Sequence, residues 1–154
     1  MADTRINEAG PREALIVAAL TLQCAIDRGS MGEPGFFDRH AKAWIERRSS
    51  HPAWIAESGD QHAGLLQAAV LSDLPWPGRH EESHRQHGEL VVQTLFVGRQ
   101  HRGLGIGEQL LRAAVQWARD RGLAAVSLSA RTHTRPMLER AGFIAVDDWF
   151  RIEL

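Results

Sequence analysis

The stretch LFVGRQHRGLGIGEQLL, Leu95 to Leu111, passes from an apolar segment through alternating glycines into a helical pattern. Gly103, Gly105 and Gly107 let the backbone bend and bring its N–H groups close to a ligand, with no side chains in the way. The helix that follows adds unpaired N–H groups and the positive end of its dipole, so the turn suits an anion such as a pyrophosphate. Arg102 supplies a permanent charge beside it. Two competing glycine motifs fail on spacing. A Walker loop needs Gly-Lys-Ser/Thr, and this turn has no lysine. The dinucleotide pattern G-x-G-x-x-G would need glycine at Glu108 or at Leu110.

Outward from the turn, the chain alternates between recognisable elements. Downstream, Leu110, Leu111, Ala114, Val115, Trp117 and Ala118 form one apolar stripe, and Gly122 stands where a helix would end. AAVSLSA reads as a strand, PMLERAG as a short helix opened by Pro136 and closed by Gly142, and FIAVDDWFRIEL as strand-like with a break near Asp147-Asp148. Upstream, ELVVQTLFV is apolar on both faces apart from Gln93 and Thr94, which predicts a central strand covered on both sides. PREALIVAALTLQCAIDRG and FFDRHAKAWIERRS read as helices, and AWIAES and HAGLLQAAVLS as strands joined by the turn GDQ. The hairpin in the middle and the helix–strand alternation late in the chain predict an α/β (α+β) fold. It should be a mixed, mostly antiparallel central sheet flanked by helices, in one domain spanning residues 1–154.

Between hairpin and central strand lies DLPWPGRHEESHRQHG, Asp73 to Gly88, which has no periodicity and reads as one long loop. Within it His80-Glu81-Glu82-Ser83-His84 spells H-E-x-x-H, the pattern of a zinc hydrolase. Such a pair needs a helix packed in a core. Here PWPGR precedes it, RQHGE follows it, and His87 stands where the extended motif has glycine, so no metal site is expected.

The charge balance, 18 Lys+Arg against 19 Asp+Glu, gives no overall field to recruit nucleic acid or an anionic membrane. Cys24 is the single cysteine, so an intramolecular disulfide is impossible and a reducing cytoplasm is the natural setting. The polar start MADTRINEAG has no apolar signal core, and no run approaches the ~18 apolar residues of a membrane span, so a soluble protein is expected.

At this point the turn resembles a known motif. LFVGRQHRGLGIGEQLL is similar to motif A of the GCN5-related N-acetyltransferase (GNAT) family, whose hallmark is Gln/Arg-x-x-Gly-x-Gly/Ala. Arg102, Gly105 and Gly107 fill its three positions. LERAGFIAVDDWFRIEL resembles the family's C-terminal part, a short helix ending in a Gly-Phe pair, here Gly142-Phe143, and then a closing strand. The earlier segments fall in the family's order too, beginning with a short strand at TRI. The resemblance implies a sheet with splayed central strands and acetyl-CoA as acyl donor. Its pyrophosphate would rest on the amides of Arg102, Gly103, Leu104, Gly105, Ile106 and Gly107. Its pantetheine would lie like an added strand beside Leu95, Phe96 and Val97.

The reaction implied is direct acetyl transfer to a primary amine of a small molecule or peptide. The amine must lose a proton, and Glu89 at the start of the central strand is the first candidate base. Asp73, Glu81, Glu82, His84 and His87 in the preceding loop are alternatives. Many family members carry a tyrosine four residues before the glycine of Gly-Phe to protonate the leaving sulfur. Leu138 holds that position, and the chain has no tyrosine. His133 and Arg135 are the polar residues near the cofactor there, and Ser129, His133 or a water could solvate the thiolate. Phe36, Phe37 and Trp76 are candidates to wall the acceptor pocket, with Trp44 and Trp54 read as packing. The missing tyrosine motivates an alternative, a non-catalytic acyl-CoA-binding domain. Relatives pair through sheet edges or C-terminal strands, which makes a homodimer an expected arrangement.

Overall fold

The computed structural model describes residues 3–72, 88–130, 132–146 and 151–154. The chain forms β1 (Thr4–Glu8), α1 (Ala14–Asp27), α2 (Phe36–Arg47), β2 (Ala53–Ser58), β3 (Gln61–Ser72), β4 (Gly88–Val97), α3 (Ile106–Asp120), β5 (Ala125–Leu128) and α4 (Arg135–Arg140). The sheet order is β1-β2-β3-β4-β5. The first four strands are antiparallel neighbours, and β5 lies parallel to β4 after the crossover through α3. The mixed, mostly antiparallel sheet expected from the sequence is therefore the one observed.

Each face of the sheet has its own core. Trp54, Leu66, Leu90, Val92, Ile106, Leu110, Leu111 and Trp117 pack together under α3. Val17, Leu20, Trp44, Ile55, Leu65 and Phe96 pack under α1 and α2. Trp54 meets Trp117 edge-on at 5.7 Å, and the Trp44 indole N–H donates to the His51 carbonyl at 2.9 Å. Cys24 is buried in the second core and acts as a small apolar group. Gly64 marks a tight junction of three elements. A Cβ there would stand 2.7 Å from the Phe96 carbonyl oxygen and 3.2 Å from Leu110 Cδ1, so β3, β4 and α3 approach one another only because it is glycine.

One expectation fails. FIAVDDWFRIEL forms no strand over residues 143–146 or 151–154. Ile144, Val146, Ile152 and Leu154 are all exposed, so among the described residues the apolar pattern finds no surface to be buried against, and β propensity depends on such packing. The stretch that spells H-E-x-x-H lies outside the described residues, as do Asp73, Trp76, Glu81, Glu82, His84 and His87. Among the described residues, no helix is long and apolar enough to cross a membrane.

Candidate cofactor and acceptor site

The site begins with a strand whose edge is only partly used. β4 pairs with β5 from Glu89↔Ala125 to Val92↔Leu128, while β4 itself continues to Val97. Gln93 to Val97 therefore runs on past the last β5 partner. On the β3 side the register jumps between Gln67↔Thr94 and Ala68↔Val92, which leaves Gln93 as the extra residue of a bulge. One added residue reverses the side-chain alternation. Before the bulge Leu90 and Val92 enter the α3 core; after it Leu95 and Val97 pack there, while Phe96 enters the α1/α2 core. Of the expected segment Leu95, Phe96 and Val97, the Phe96 side chain is thus consumed by the core on one face, and the segment offers a ligand its backbone edge.

β4 leads through the short 3-10 turn Arg99–His101 into the glycine turn. Gly103 and Gly105 have φ of +78° and +77°, a region that L-residues with side chains enter at a cost. Gly105 caps α3, its carbonyl accepting from the Gln109 N–H at 3.1 Å, and no side chain caps the helix. The N–H groups of Ile106, Gly107 and Glu108 precede the first carbonyl of their own helix and face outward along its axis. Ile106 anchors this end with a buried side chain, while Leu104 is exposed. Gly107 has a different reason to be glycine: a Cβ would stand 2.9 Å from Met137 Sδ, so its absence lets α4 close over the start of α3.

The charge of Arg102 stands beside the turn and is paired within the protein. Arg102 does not extend a bare cation toward a ligand. Its Nε donates to the Val97 carbonyl at 3.0 Å and its NH2 to Asp27 Oδ2 at 2.7 Å. Arg99 Nε donates to the other carboxylate oxygen, Oδ1, at 2.6 Å. Hydrogen bonds from Arg99 and Arg102 hold the Asp27 carboxyl below the usual carboxylate range. In the first turn of α3, Glu108 is likewise held low, mainly by Arg112 at 2.7 Å, with Arg140 3.7 Å away. Asp27 and Arg99 were not singled out from sequence. The available signal was Asp27 at the C-terminal end of a helix, where the dipole disfavours an acid.

The remaining candidates scatter. Glu89 is part-buried at the start of β4, opposite Leu71 on one side and Ala125 on the other. It lies three residues, about 10 Å, before the end of the β5 ladder. His133 is exposed in the turn before α4, and Ser129 is exposed beyond β5. Arg135 is paired along α4 with Glu139 at 3.0 Å. Leu138 is buried in the α3 core. His101 sits beside Gln100 at 3.2 Å. Trp44 and Trp54 are core residues, as read from sequence, while Phe36 is part-buried and Phe37 exposed. A polar group the sequence reading missed sits level with the bulge on the α1/α2 face. Gln67 contacts Thr21 Oγ1 at 3.1 Å and His40 Nε2 at 3.5 Å, and Phe36 lies 5.4 Å from the His40 ring. His40 Nδ1 is buried with no hydrogen-bond partner among the described residues, and burial lowers the pKa of the ring.

Comparison with known proteins bears directly on this geometry. The model of the acetyltransferase (GNAT) family matches residues 21–143. N-acetyltransferase 8F1 of Rattus norvegicus is 39% identical over 79 residues, 51% of this chain and 32% of that protein. N-acetyltransferase 8 of Mus musculus is 40% identical over 87 residues, 56% of this chain and 34% of that protein. The match thus spans about a third of the length of these relatives. Among solved structures, a predicted acetyltransferase from Clostridium acetobutylicum, determined with acetyl-CoA, superposes with a TM-score of 0.78 at 18% identity, covering 98% of this chain and 96% of that one. That likeness is one of fold.

Proposed function

The chain belongs to the acetyltransferase (GNAT) family, and on that premise we propose that it is an acetyl-CoA-dependent N-acetyltransferase acting by direct transfer to a primary amine of a small molecule or peptide. The observation that carries the reading is the backbone edge of Gln93 to Val97, left without a β5 partner and ending on a glycine turn that opens α3. A pantetheine is an amide-bearing extended chain, and such an edge can take it as an added strand through main-chain hydrogen bonds. The pyrophosphate then meets the outward N–H groups at the start of α3. Support also comes from relatives named as N-acetyltransferases and from the acetyl-CoA held by the Clostridium acetobutylicum protein.

In this reading the thioester lies near the bulge at Gln93, where the strands part. Backbone N–H groups of the Leu95–Val97 segment stabilise the oxyanion of the tetrahedral intermediate. Glu89 receives the amine proton through intervening water, since it stands about 10 Å along the strand from the end of the ladder. The amine attacks the carbonyl carbon, the C–S bond breaks, and CoA leaves as a thiolate. A thiol pKa near ~8.5 makes that departure tolerable without a tyrosine acid. We take residues 1–154 as one catalytic domain. The single, buried cysteine suits a reducing, cytoplasmic setting.

Leu138, buried where a tyrosine acid would stand, favours a second reading: an acyl-CoA-binding domain without catalysis. Two measurements separate them. Both readings expect acetyl-CoA to raise the melting temperature. Only the enzyme releases CoA thiol faster when an amine from a panel of polyamines, amino sugars and peptide N-termini is added. Binding without amine-dependent release selects the second reading, and no stabilisation by any CoA ester removes both.

A further inference from the structure

The Asp27 carboxylate ends α1 yet binds two arginines of the segment between β4 and α3. It accepts from Arg99 at 2.6 Å and from Arg102 at 2.7 Å, partners 72 and 75 residues away. Arg102 in turn closes on the Val97 carbonyl at 3.0 Å, the last residue of β4. Three elements meet in this bracket: the end of a helix on one sheet face, the end of the half-open strand, and the start of the glycine turn. An acid at a helix C-terminus opposes the dipole, so the placement is locally unfavourable and is stabilised by the two guanidinium groups. The Asp27 side chain is 23% exposed, but Arg99 and Arg102 are 78% and 49% exposed, so the bracket is a surface device whose weight lies in its geometry rather than in burial.

We infer that Asp27 is a positioning residue for acetyl-CoA: it holds Arg102 on the Val97 carbonyl and so fixes the angle at which the turn from Arg102 to Gly107 presents its amides. The inference rests on the acetyl-CoA reading above. The rival assignment makes Arg99 and Arg102 the phosphate ligands themselves. The two differ in sign. If the arginines bind phosphate, Asp27 competes with the ligand, and removing its charge releases two cations and tightens binding. If the backbone amides bind phosphate and the arginines hold the backbone, removing Asp27 loosens the turn and weakens binding.

The test is the KM for acetyl-CoA and the Kd for CoA in Asp27→Asn, Asp27→Glu, Arg102→Lys and the double variant Asp27→Asn/Arg102→Lys, with melting temperatures alongside. Asp27→Asn is expected to raise both constants about tenfold, the scale of one charge-assisted hydrogen bond, with kcat at saturation changed by less than about twofold. Asp27→Glu restores part of the loss. Arg102→Lys, whose ammonium cannot span Val97 and Asp27 together, reproduces it. The double variant is then no worse than either single one, as expected when two residues form a single device. Unchanged or tighter binding in Asp27→Asn overturns the inference, as does full additivity in the double variant. A fall in melting temperature with unaltered KM would likewise overturn it, by reducing the bracket to a stabilising one. If the unaltered protein binds no CoA ester, the acetyl-CoA reading falls and this inference with it.

Discussion

Gly105→Ala separates the cost of backbone strain from the loss of a ligand contact. Gly105 sits at φ +77°, ψ 8°, and among the described residues an added Cβ would meet no atom within 4 Å beyond its chain neighbours. The substitution therefore creates no clash within the protein. Its intrinsic cost is that of holding an L-residue in the left-handed region, about 1–2 kcal/mol. For a domain of this size that corresponds to a fall in melting temperature of about 2–8 °C. Binding should suffer differently, because the methyl projects into the open space at the turn, where the pyrophosphate is proposed to approach the amides of α3. Losing one hydrogen bond to a charged group costs about 1.5–3 kcal/mol, or about 10- to 150-fold in Kd. Gly122→Ala is the matching control. Gly122 has φ +68° beyond the other end of the same helix, about 25 Å away, and carries the same backbone penalty. Thermal unfolding and calorimetric titration with acetyl-CoA on both variants should give a loss of stability in each and a loss of affinity confined to Gly105→Ala. Equal affinities in the two variants would refute the placement of the pyrophosphate at this turn.

Three further outcomes follow from the packing. Gly64→Ala drives a methyl to 2.7 Å from the Phe96 carbonyl, so backbone must move, and denaturant unfolding should register a loss of about 1–3 kcal/mol; an unchanged midpoint would count against the tight β3–β4 approach. His40→Phe tests buried neutral histidine. Burial lowers its pKa from the ordinary 6.5, so the unfolded chain takes up a proton that the folded chain refuses, and stability is lost as pH falls below 6.5 toward the depressed value. The drop in melting temperature between about pH 7.5 and about pH 5 should therefore be smaller in His40→Phe, and an unaltered drop refutes the assignment. Leu138→Tyr enlarges a core position and should cost about 1–3 kcal/mol without raising kcat; a faster thiol release would mean that the tyrosine hydroxyl reaches the sulfur after all.

What sequence reveals here divides by range. The helices declare themselves through apolar spacing and glycine stops: Gly29 and Gly122, read as the ends of α1 and α3, both adopt positive φ just past those helices. The strands AWIAES and HAGLLQAAVLS become β2 and β3 almost to the residue. The bulge left a local trace as well. Gln93 and Thr94 are adjacent polar residues in an otherwise apolar strand, which no strict alternation can place on one face, and the register break falls at that pair. The terminal strand was misread because periodicity records what could be buried, and Ile144 and Val146 find no covering surface. The ion-pair bracket was illegible for a simpler reason. Its partners are 72 and 75 residues apart, and nothing in the local sequence of Asp27 names Arg99 or Arg102.

The bracket also alters what the glycine motif means. Read as a string, Arg102 beside alternating glycines suggests a cation placed for phosphate. In the folded chain its guanidinium is engaged by Val97 and Asp27, so on the proposed reading affinity for an anion falls mainly to the backbone N–H groups at the start of α3. The motif hallmark accepts either glutamine or arginine at this position. The two share N–H donors but not a charge, and donation to a strand-end carbonyl needs only the donor. A role in holding the Val97 carbonyl therefore accounts for that tolerance, where a role as phosphate cation does not. In the proposed site the glycine turn would bind, the arginine would aim it, and Asp27 would keep it aimed.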